Sequence, residues 1–167
     1  MSIFKYFLII FFLITSKVDA NTKIVFIDID YLINNSSIGK STLNKLDEIN
    51  SKNIKILDDN EKKLRDLDEK IKNKKNVISE EELKKEIEDF KKKVNLYNFK
   101  KKNYTEEFKK TQAVELNKLL DKFNSIINDH ISANSIDIVL NKKNLYMGKL
   151  SSDITNEILK KINKQFQ

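Results

Sequence analysis

The sequence predicts a mainly α-helical protein in which a long antiparallel helical hairpin is attached to a small, split β body. Three observations lead to this fold class. The middle of the chain, from Lys40 to Ala133, contains no proline or glycine and carries apolar residues at helical spacing. Short segments rich in β-branched residues lie near both ends of the chain. A single turn signature, in residues 73–82, divides the helical middle into two helices.

The first 20 residues have the layout of a secretory signal peptide. Lys5 precedes nine apolar residues, Tyr6 to Ile14, and Val18 and Ala20 occupy the −3 and −1 positions of a small-residue cleavage site. Nine residues at about 1.5 Å each span only about 14 Å, roughly half of a bilayer core. We therefore expect cleavage after Ala20, rather than an uncleaved anchor, and export of residues 21–167.

The composition limits the partners of such an exported chain. It has no cysteine, so packing alone must hold it together. The formal net charge is +7, and loss of Lys5, Lys17 and Asp19 with the signal peptide would leave +6. Basic chains often bind nucleic acid, but an exported chain rarely meets any. Its expected partners are acidic polypeptides, anionic lipid or lipopolysaccharide.

The β body is predicted from residues 21–40 and 131–167. Residues 23–30, KIVFIDID, alternate apolar side chains over their first half and predict a strand. Residues 136–140, IDIVL, predict a second strand, and residues 145–148, LYMG, a third short one. Three strands cannot close a barrel and are only marginally stable as an open sheet, so we expect oligomerisation to complete the sheet.

The body also contains the last helix, which is predicted to follow a cap at Ser152 or Asp153. Its apolar residues lie at helical spacing and form one face, comprising Ile154, Ile158, Leu159, Ile162 and Phe166.

Residues 41–130 are predicted to form the hairpin arm, with its tip near residues 74–79. In the first helix, leucine and isoleucine hold a heptad stripe that is interrupted by Asn50, Asn53 and Asn60. These asparagines would weaken the seam between the helices, which suits a flexible arm. In the second helix, Ser79 and Glu82 form a capping-box signature. This helix is expected to run from about residue 80 to about residue 131.

Gly39, Lys40 and Ser41 resemble the end of a phosphate-binding loop. The full motif needs a glycine at the position of Asn34, and it needs a strand–helix alternation that this sequence lacks. We therefore expect no nucleotide. Gly39 is instead predicted to be a structural joint, whose permissive backbone lets the chain leave the strand layer, and Ser41 is predicted to cap the arm helix.

Few other residues suggest a chemical site. His130 is the only histidine, and without a partner it is expected to be a packed structural residue. Asp28 and Asp30 share one face of the first strand and could form a metal or acid–base pair. With no third ligand, a solvated or turn-bonding role is favoured. We predict no catalytic residue, no cofactor and no metal site, and the protein is not expected to be an enzyme.

The charge of the arm is more informative. Residues 61–110 contain 17 Lys and Arg and 12 Asp and Glu, a net charge of +5 that accounts for nearly all of the excess. Most of these side chains are expected to form solvated helix faces. Phe99 lies off the heptad stripe and should face outward or into a cavity. We interpret part of the arm as a basic, amphipathic surface for acidic or unfolded apolar chains, namely Lys91, Lys92, Lys93, Phe99, Lys100, Lys101 and Lys102.

Three segments carry a resemblance to a known family, namely KIVFID at 23–28, the Gly39-Lys40 pair, and SIDIVLNKKNLYMGKLSSDITNEILKKI at 135–162. Through them the whole mature chain resembles the Skp (OmpH-like) family of periplasmic chaperones. The resemblance is specific at these two ends and only architectural in the arm.

The resemblance implies an ATP-independent holdase that keeps unfolded outer-membrane proteins from aggregating in the periplasm. It implies a homotrimer in which strands from three subunits form a barrel and three hairpins surround a cavity. The expected trimer body comprises Ile24, Phe26, Ile136, Ile138 and Leu140. A lipopolysaccharide-binding surface is a property proposed for some members. The alternative interpretation is a structural or adaptor coiled-coil protein of the cell envelope.

Overall fold

The computed structural model describes residues 22–166, which are mainly helical with one small pair of strands. The predicted signal peptide, residues 1–20, lies outside this range. The elements in chain order are β1 (Ile24–Ile27), α1 (Ile29–Asn35), α2 (Ser37–Lys74), α3 (Glu80–Ala133), β2 (Ile138–Asn141) and α4 (Thr155–Gln165). Two 3-10 turns, Lys142–Asn144 and Leu150–Ser152, lie between β2 and α4.

The two strands pair in parallel, with Ile24 opposite Ile138 and Ile27 opposite Asn141. Parallel strands need a long crossover connection, and here the connection is the complete hairpin. The third strand predicted at residues 145–148 is wrong for this chain, because within residues 22–166 no neighbouring strand lies beside that segment. The other edge of β1 is instead occupied at one point, where the Ile154 N–H donates to the Phe26 carbonyl at 3.1 Å.

The hydrophobic core lies where β1, α1, α4 and the last third of α3 meet. Its fully buried side chains come from three of these helices, namely Leu32, Leu119, Phe123, Ile158 and Ile162. The predicted apolar face of α4 is confirmed, since Ile154 is also buried and Leu159 and Phe166 pack against the same cluster. Burying each such side chain stabilises the fold by about 1.5–3 kcal/mol.

A break at Ser36 separates α1 from α2. Asp28 caps α1 by accepting a hydrogen bond from the Tyr31 N–H at 2.9 Å, which confirms its turn-bonding role. Ser36 is fully buried, and its Oγ accepts from the Gly39 N–H at 3.1 Å. Ser36 is therefore the cap of α2, and the prediction of Ser41 is wrong. The extended backbone that a cap requires occurs at Ser36, whereas Ser41 already lies inside the helix.

Gly39 is a special position for a reason other than the predicted one. Its backbone is helical and its φ is not positive, so conformational freedom is not required. A Cβ atom on Gly39 would instead lie 2.0 Å from the Ile33 carbonyl oxygen and 2.7 Å from Ser36 Oγ. Glycine is thus needed because α1 and the first turn of α2 approach each other closely. The chain on both sides of Ser36 is helical, so residues 34–40 do not form a phosphate-wrapping loop.

The arm is an antiparallel pair of unequal helices. At about 1.5 Å per residue, the 38 residues of α2 span about 57 Å and the 54 residues of α3 about 81 Å. The capping box at Ser79 and Glu82 is confirmed, with both reciprocal hydrogen bonds present. The surplus length of α3 returns into the body and supplies its part of the core.

His130 is packed at the end of α3, as predicted for a structural histidine, with only 4% of its surface exposed. Its Nε2 lies 3.5 Å from Glu157 Oε2, and its Nδ1 lies 3.3 Å from Asn134 Nδ2. The neutral tautomer with a proton on Nε2 satisfies both partners. The pKa of His130 is lowered, first by burial and then by the positive charges of Lys161 and Lys23, while Glu157 opposes the shift.

We predict that Gly39→Ala destabilises the protein by about 1–3 kcal/mol, because the new methyl group meets backbone that cannot move freely. Chemical denaturation followed by circular dichroism measures the effect. Ser41→Ala is the matched control, since this exposed residue lies in the same helix and should change stability by less than about 0.5 kcal/mol. Equal stability of the two variants would contradict the close approach of α1 and α2.

We also predict that His130 makes the fold sensitive to acid. Because its pKa is lower in the folded protein than in the unfolded chain, the unfolded chain binds more protons as the pH falls below about 6.5. Its contribution to stability is therefore complete above that pH and declines as the pH drops through the folded-state pKa. Denaturation at pH 7.5 and pH 5.5 should show a smaller loss for His130→Gln than for the unchanged protein. An equal loss would contradict the prediction.

Candidate functional site

The register of the hairpin is set by contacts between its two helices. Tyr97 Oη lies 3.4 Å from Glu61 Oε2 in the middle of the arm. Ion pairs bridge the helices nearer the tip, from Lys74 to Glu86 at 2.7 Å, and nearer the base, from Lys45 to Glu115 at 2.8 Å. Exposed ion pairs of this kind contribute little to stability, but together these contacts show that the pairing keeps one register from base to tip.

An open groove of about 430 Å³ lies between α2 and α3 in the middle of the arm. We call it the mid-arm groove. Its apolar lining consists of Leu64, Leu67, Leu96 and the ring of Tyr97, and Leu96 is 53% exposed. Four lysines line it as well, together with Asn60 and one acidic residue, Asp66. These lysines are Lys63, Lys70, Lys93 and Lys100.

The four lysines form two matched pairs. Lys63 and Lys70 are seven residues apart on α2, as are Lys93 and Lys100 on α3, so each pair lies on one face of its helix. Within residues 22–166 none of the four forms a salt bridge. Their charge is thus available to a bound molecule, and their methylene stems add apolar surface. The groove can hold apolar side chains next to acidic groups.

A second groove of about 420 Å³ lies closer to the tip, and we call it the tip groove. Its apolar lining consists of Ile71, Leu83, Ile87 and Phe90. It also carries lysines, but Lys72 lies 2.6 Å from Asp68, which raises the pKa of Lys72 through that hydrogen bond and offsets its charge. The tip groove is therefore the less basic of the two.

Comparison with known proteins places this architecture in a family. The family model for outer membrane proteins of the OmpH-like type matches residues 23–162. The chain belongs to the OmpH-like family. Its fold is similar to the crystal structure of a protein from Caulobacter crescentus CB15 that is proposed to be an OmpH-like outer membrane chaperone. The TM-score is 0.79 at 17% identity, over 88% of this chain and 87% of that chain. No curated protein gives a significant match.

The structure separates the predicted binding residues of this OmpH-like arm instead of joining them in one cluster. Lys93 and Lys100 line the mid-arm groove, and Lys91 lines the tip groove. Lys92 points to Asp89 at 3.3 Å, and Lys102 to Glu106 at 3.9 Å. The remaining two line neither groove and are exposed, Phe99 to 61% and Lys101 on the α3 surface.

Lys63, Lys70 and Leu96 line the mid-arm groove but are not among the binding residues predicted from the sequence. The signal was present in the heptad spacing of the two lysine pairs. It becomes visible only when the two helices are aligned antiparallel through the tip at residues 74–79, so that Lys63 and Lys70 lie across from Lys93 and Lys100.

The predicted residues of the OmpH-like trimer body divide into two groups. Phe26 and Ile136 are buried in the subunit, each with 7% of its surface exposed. Ile24, Ile138 and Leu140 are 40–47% exposed and lie on the two strands. The second group is the one that remains available to another molecule.

Among residues 22–166, no three His, Asp or Glu side chains come together in a metal-binding arrangement. In the same part of the chain, no helix combines the length and the apolar character that a membrane crossing requires.

Proposed function

We propose that this protein is an ATP-independent holdase that binds unfolded outer-membrane proteins in the periplasm and keeps them from aggregating. The observation that carries the proposal is the mid-arm groove, an open apolar surface lined by four lysines that have no ion-pair partner in residues 22–166. An unfolded chain offers apolar side chains and acidic groups in varying order. A groove that needs no fixed sequence suits such a client.

The two kinds of side chain would act at different distances. The lysines attract acidic segments over about 8 Å at physiological ionic strength, and the apolar lining then removes client side chains from water. Because the groove is open, a bound segment can leave without a conformational change of the arm. Binding and release then need no nucleotide. A lipopolysaccharide or an anionic membrane surface would meet the same lysines.

We infer that the active form is a homotrimer whose β body is the hub. A sheet of two strands is marginally stable in isolation, and Ile24, Ile138 and Leu140 leave apolar surface on it. Closure of three such sheets into a barrel would bury that surface and would place three hairpins around a shared cavity. Family membership and the fold shared with the Caulobacter crescentus protein support this interpretation, and the predicted signal peptide supports export to the periplasm.

We predict that replacing Lys63, Lys70, Lys93 and Lys100 together with glutamine weakens client binding roughly tenfold, since four exposed attractions of a few tenths of a kcal/mol each are lost. The assay is light scattering of an unfolded β-barrel membrane protein as it is diluted from denaturant in the presence of the chaperone.

The matched control for these lysines is a variant with Lys52, Lys55, Lys109 and Lys110 changed to glutamine. These four are exposed and lie outside both grooves. Both variants replace four lysines with glutamine, so they change the net charge of the protein by the same amount. The groove variant should lose more protection than the control at low salt, and the difference should shrink as salt rises. If the unchanged protein fails to suppress aggregation at any salt, the holdase proposal is wrong.

A shortened arm distinguishes the holdase from an envelope adaptor. Because residues 75–79 join α2 at Lys74 to α3 at Glu80, replacing residues 61–93 by this native turn sequence removes two heptads from each helix and keeps the register. The core contains none of the deleted residues, so we predict an assembled, folded body that no longer protects clients. Light scattering measures whether the body is still assembled, and the aggregation assay measures whether clients are still protected. Full protection by the shortened chain would show that the arm is not the holding surface, and no protection by either chain would favour the adaptor.

A further inference from the structure

The lining of the mid-arm groove repeats with the period of a helix on both of its walls. Positions three, four and seven residues apart lie along one face of a helix. Apart from Asp66, the lining follows this spacing, with Asn60, Lys63, Leu64, Leu67 and Lys70 on α2 and Lys93, Leu96, Tyr97 and Lys100 on α3. The groove therefore runs parallel to the two helix axes, over about 11 residues or about 16 Å of the arm.

The four lysines of the groove lie where the two helices could have formed ion pairs with each other. Each lysine directly precedes a position of the seam between the helices, as Lys63 precedes Leu64 and Lys93 precedes Val94. Oppositely charged residues beside such a seam stabilise the pair of helices. Here both helices carry lysine, so these charges repel each other within the arm. Their positions favour a role in binding over a role in stability.

The arm itself does not neutralise this charge. Two acidic residues of the same stretch of α2 are paired within that helix, Glu61 with Arg65 and Asp68 with Lys72, and neither acid lines the mid-arm groove. Asp66 is the one acidic side chain in the lining. Four lysines and one aspartate leave the lining with a net charge of +3.

The spacing of the lysines matches a helix and does not match an extended chain. Lys63 and Lys70 are seven residues apart, as are Lys93 and Lys100, which is about 10.5 Å along each helix. On an extended chain, the side chains of one face recur at about 6.6 Å and about 13 Å. A second helix that lies along the groove repeats its own side chains every seven residues, at the same spacing of about 10.5 Å.

The two lysine pairs are also staggered along the arm. The contacts between the helices join residues whose numbers add up to between 158 and 160. Lys93 therefore lies level with the part of α2 between Lys63 and Lys70, and Lys100 lies beyond Lys63. The four charges alternate between the two walls in steps of about 5 Å. Positions on the two sides of the apolar stripe of an amphipathic helix alternate along its axis as well.

We propose that the mid-arm groove binds an acidic, amphipathic helical segment of another polypeptide as a third helix along α2 and α3. Its apolar stripe would cover Leu64, Leu67 and Leu96, and carboxylates on both sides of the stripe would pair with the four lysines. The proposal rests on the proposed function, because it names the class of client segment that the groove holds most tightly. An isolated helix of about 11 residues is marginal in water, so the segment would fold as it binds.

Peptides of identical composition test the proposal by fluorescence anisotropy against the whole mature protein. The first peptide has three heptads with leucine at a and d, glutamate at e and g, and alanine elsewhere. In the second the glutamates move to b and f, away from the groove. In the third, polar and apolar residues alternate as in a strand.

The first peptide should bind about tenfold more tightly than either of the others, because only its glutamates can form four ion pairs with the groove. Its binding should also add helical signal in circular dichroism beyond the sum of the separate components. Equal affinity of the first and third peptides, or no gain of helical signal, would overturn the proposal.

Reversing the charge of the groove locates the bound peptide. All four substitutions are at exposed positions, so the arm should keep its helical content. The groove variant carries Lys63→Glu, Lys70→Glu, Lys93→Glu and Lys100→Glu. It should lose the preference for the first peptide over the second, and it should prefer a peptide with lysine at e and g over one with lysine at b and f. Each comparison uses two peptides of equal charge, so the net charge of the protein affects both alike.

A control variant carries the same change of charge at exposed positions outside both grooves. Its substitutions are Lys52→Glu, Lys55→Glu, Lys109→Glu and Lys110→Glu. It should keep the preference of the unchanged protein for the first peptide. If the control loses this preference, or if the groove variant retains it, the helix binds elsewhere and the proposal is wrong.

The helix-binding proposal and the holdase proposal can fail separately. If the protein suppresses client aggregation but binds the three peptides equally, the holdase stands and the helical ligand is rejected. If the protein prefers the first peptide but does not protect clients, the helix site stands and the holdase is rejected.

Discussion

The packing of α3 against β1, α1 and α4 is the constraint on which the rest of the structure depends. Phe123 is fully buried at its centre, and Leu119 and Ile127 lie on either side of it along α3. Within residues 22–166, this is the one core that elements from both ends of the chain share with the base of the arm. The base of α2 is attached to the same body, since Ile38 packs against this core and the Ser37 N–H donates to Asn163 Oδ1 at 2.8 Å. The direction in which the arm leaves the body is therefore set by how both arm helices pack here. Buried His130 lies at the same junction, which is why its protonation would affect the whole fold.

Beyond this core the two arm helices stabilise each other through a narrow seam. Apart from Gly39 at its base, only Leu46 and Ile71 are buried along α2, and the seam asparagines Asn50, Asn53 and Asn60 are half-buried. A seam of this kind leaves apolar surface uncovered, and Leu96 is an example. The low stability of the seam and the open mid-arm groove therefore have the same cause. A tighter coiled coil would be more stable, but it would bury the surface that an unfolded client could use.

Features that depend on local sequence could be predicted, and features that depend on packing between distant residues could not. The capping box at Ser79 and the apolar face of α4 follow from spacing within one or two turns. The cap of α2 is Ser36 and not Ser41, because the crossing of α1 and α2 determines where one helix ends and the next begins. The sequence predicts Gly39 as a joint. Glycine is needed there because a Cβ atom would collide with the Ile33 carbonyl oxygen, a contact that the local sequence pattern does not reveal. The mid-arm groove needed two helices aligned in space, so only its α3 lysines were found.

Lysines lie beside the exposed apolar residues of the arm, and this arrangement would allow client binding while opposing association between arms. Apolar side chains that are free to meet a client are equally free to meet another arm, and exposed patches of this kind promote aggregation. Here Lys93 and Lys100 line the groove that contains Leu96, and Lys100 and Lys101 directly follow Phe99 in sequence. Like charges on two approaching arms repel, whereas an acidic segment is attracted. The same side chains that would draw in a client therefore oppose self-association, and this selectivity requires only that the client be less basic than the arm.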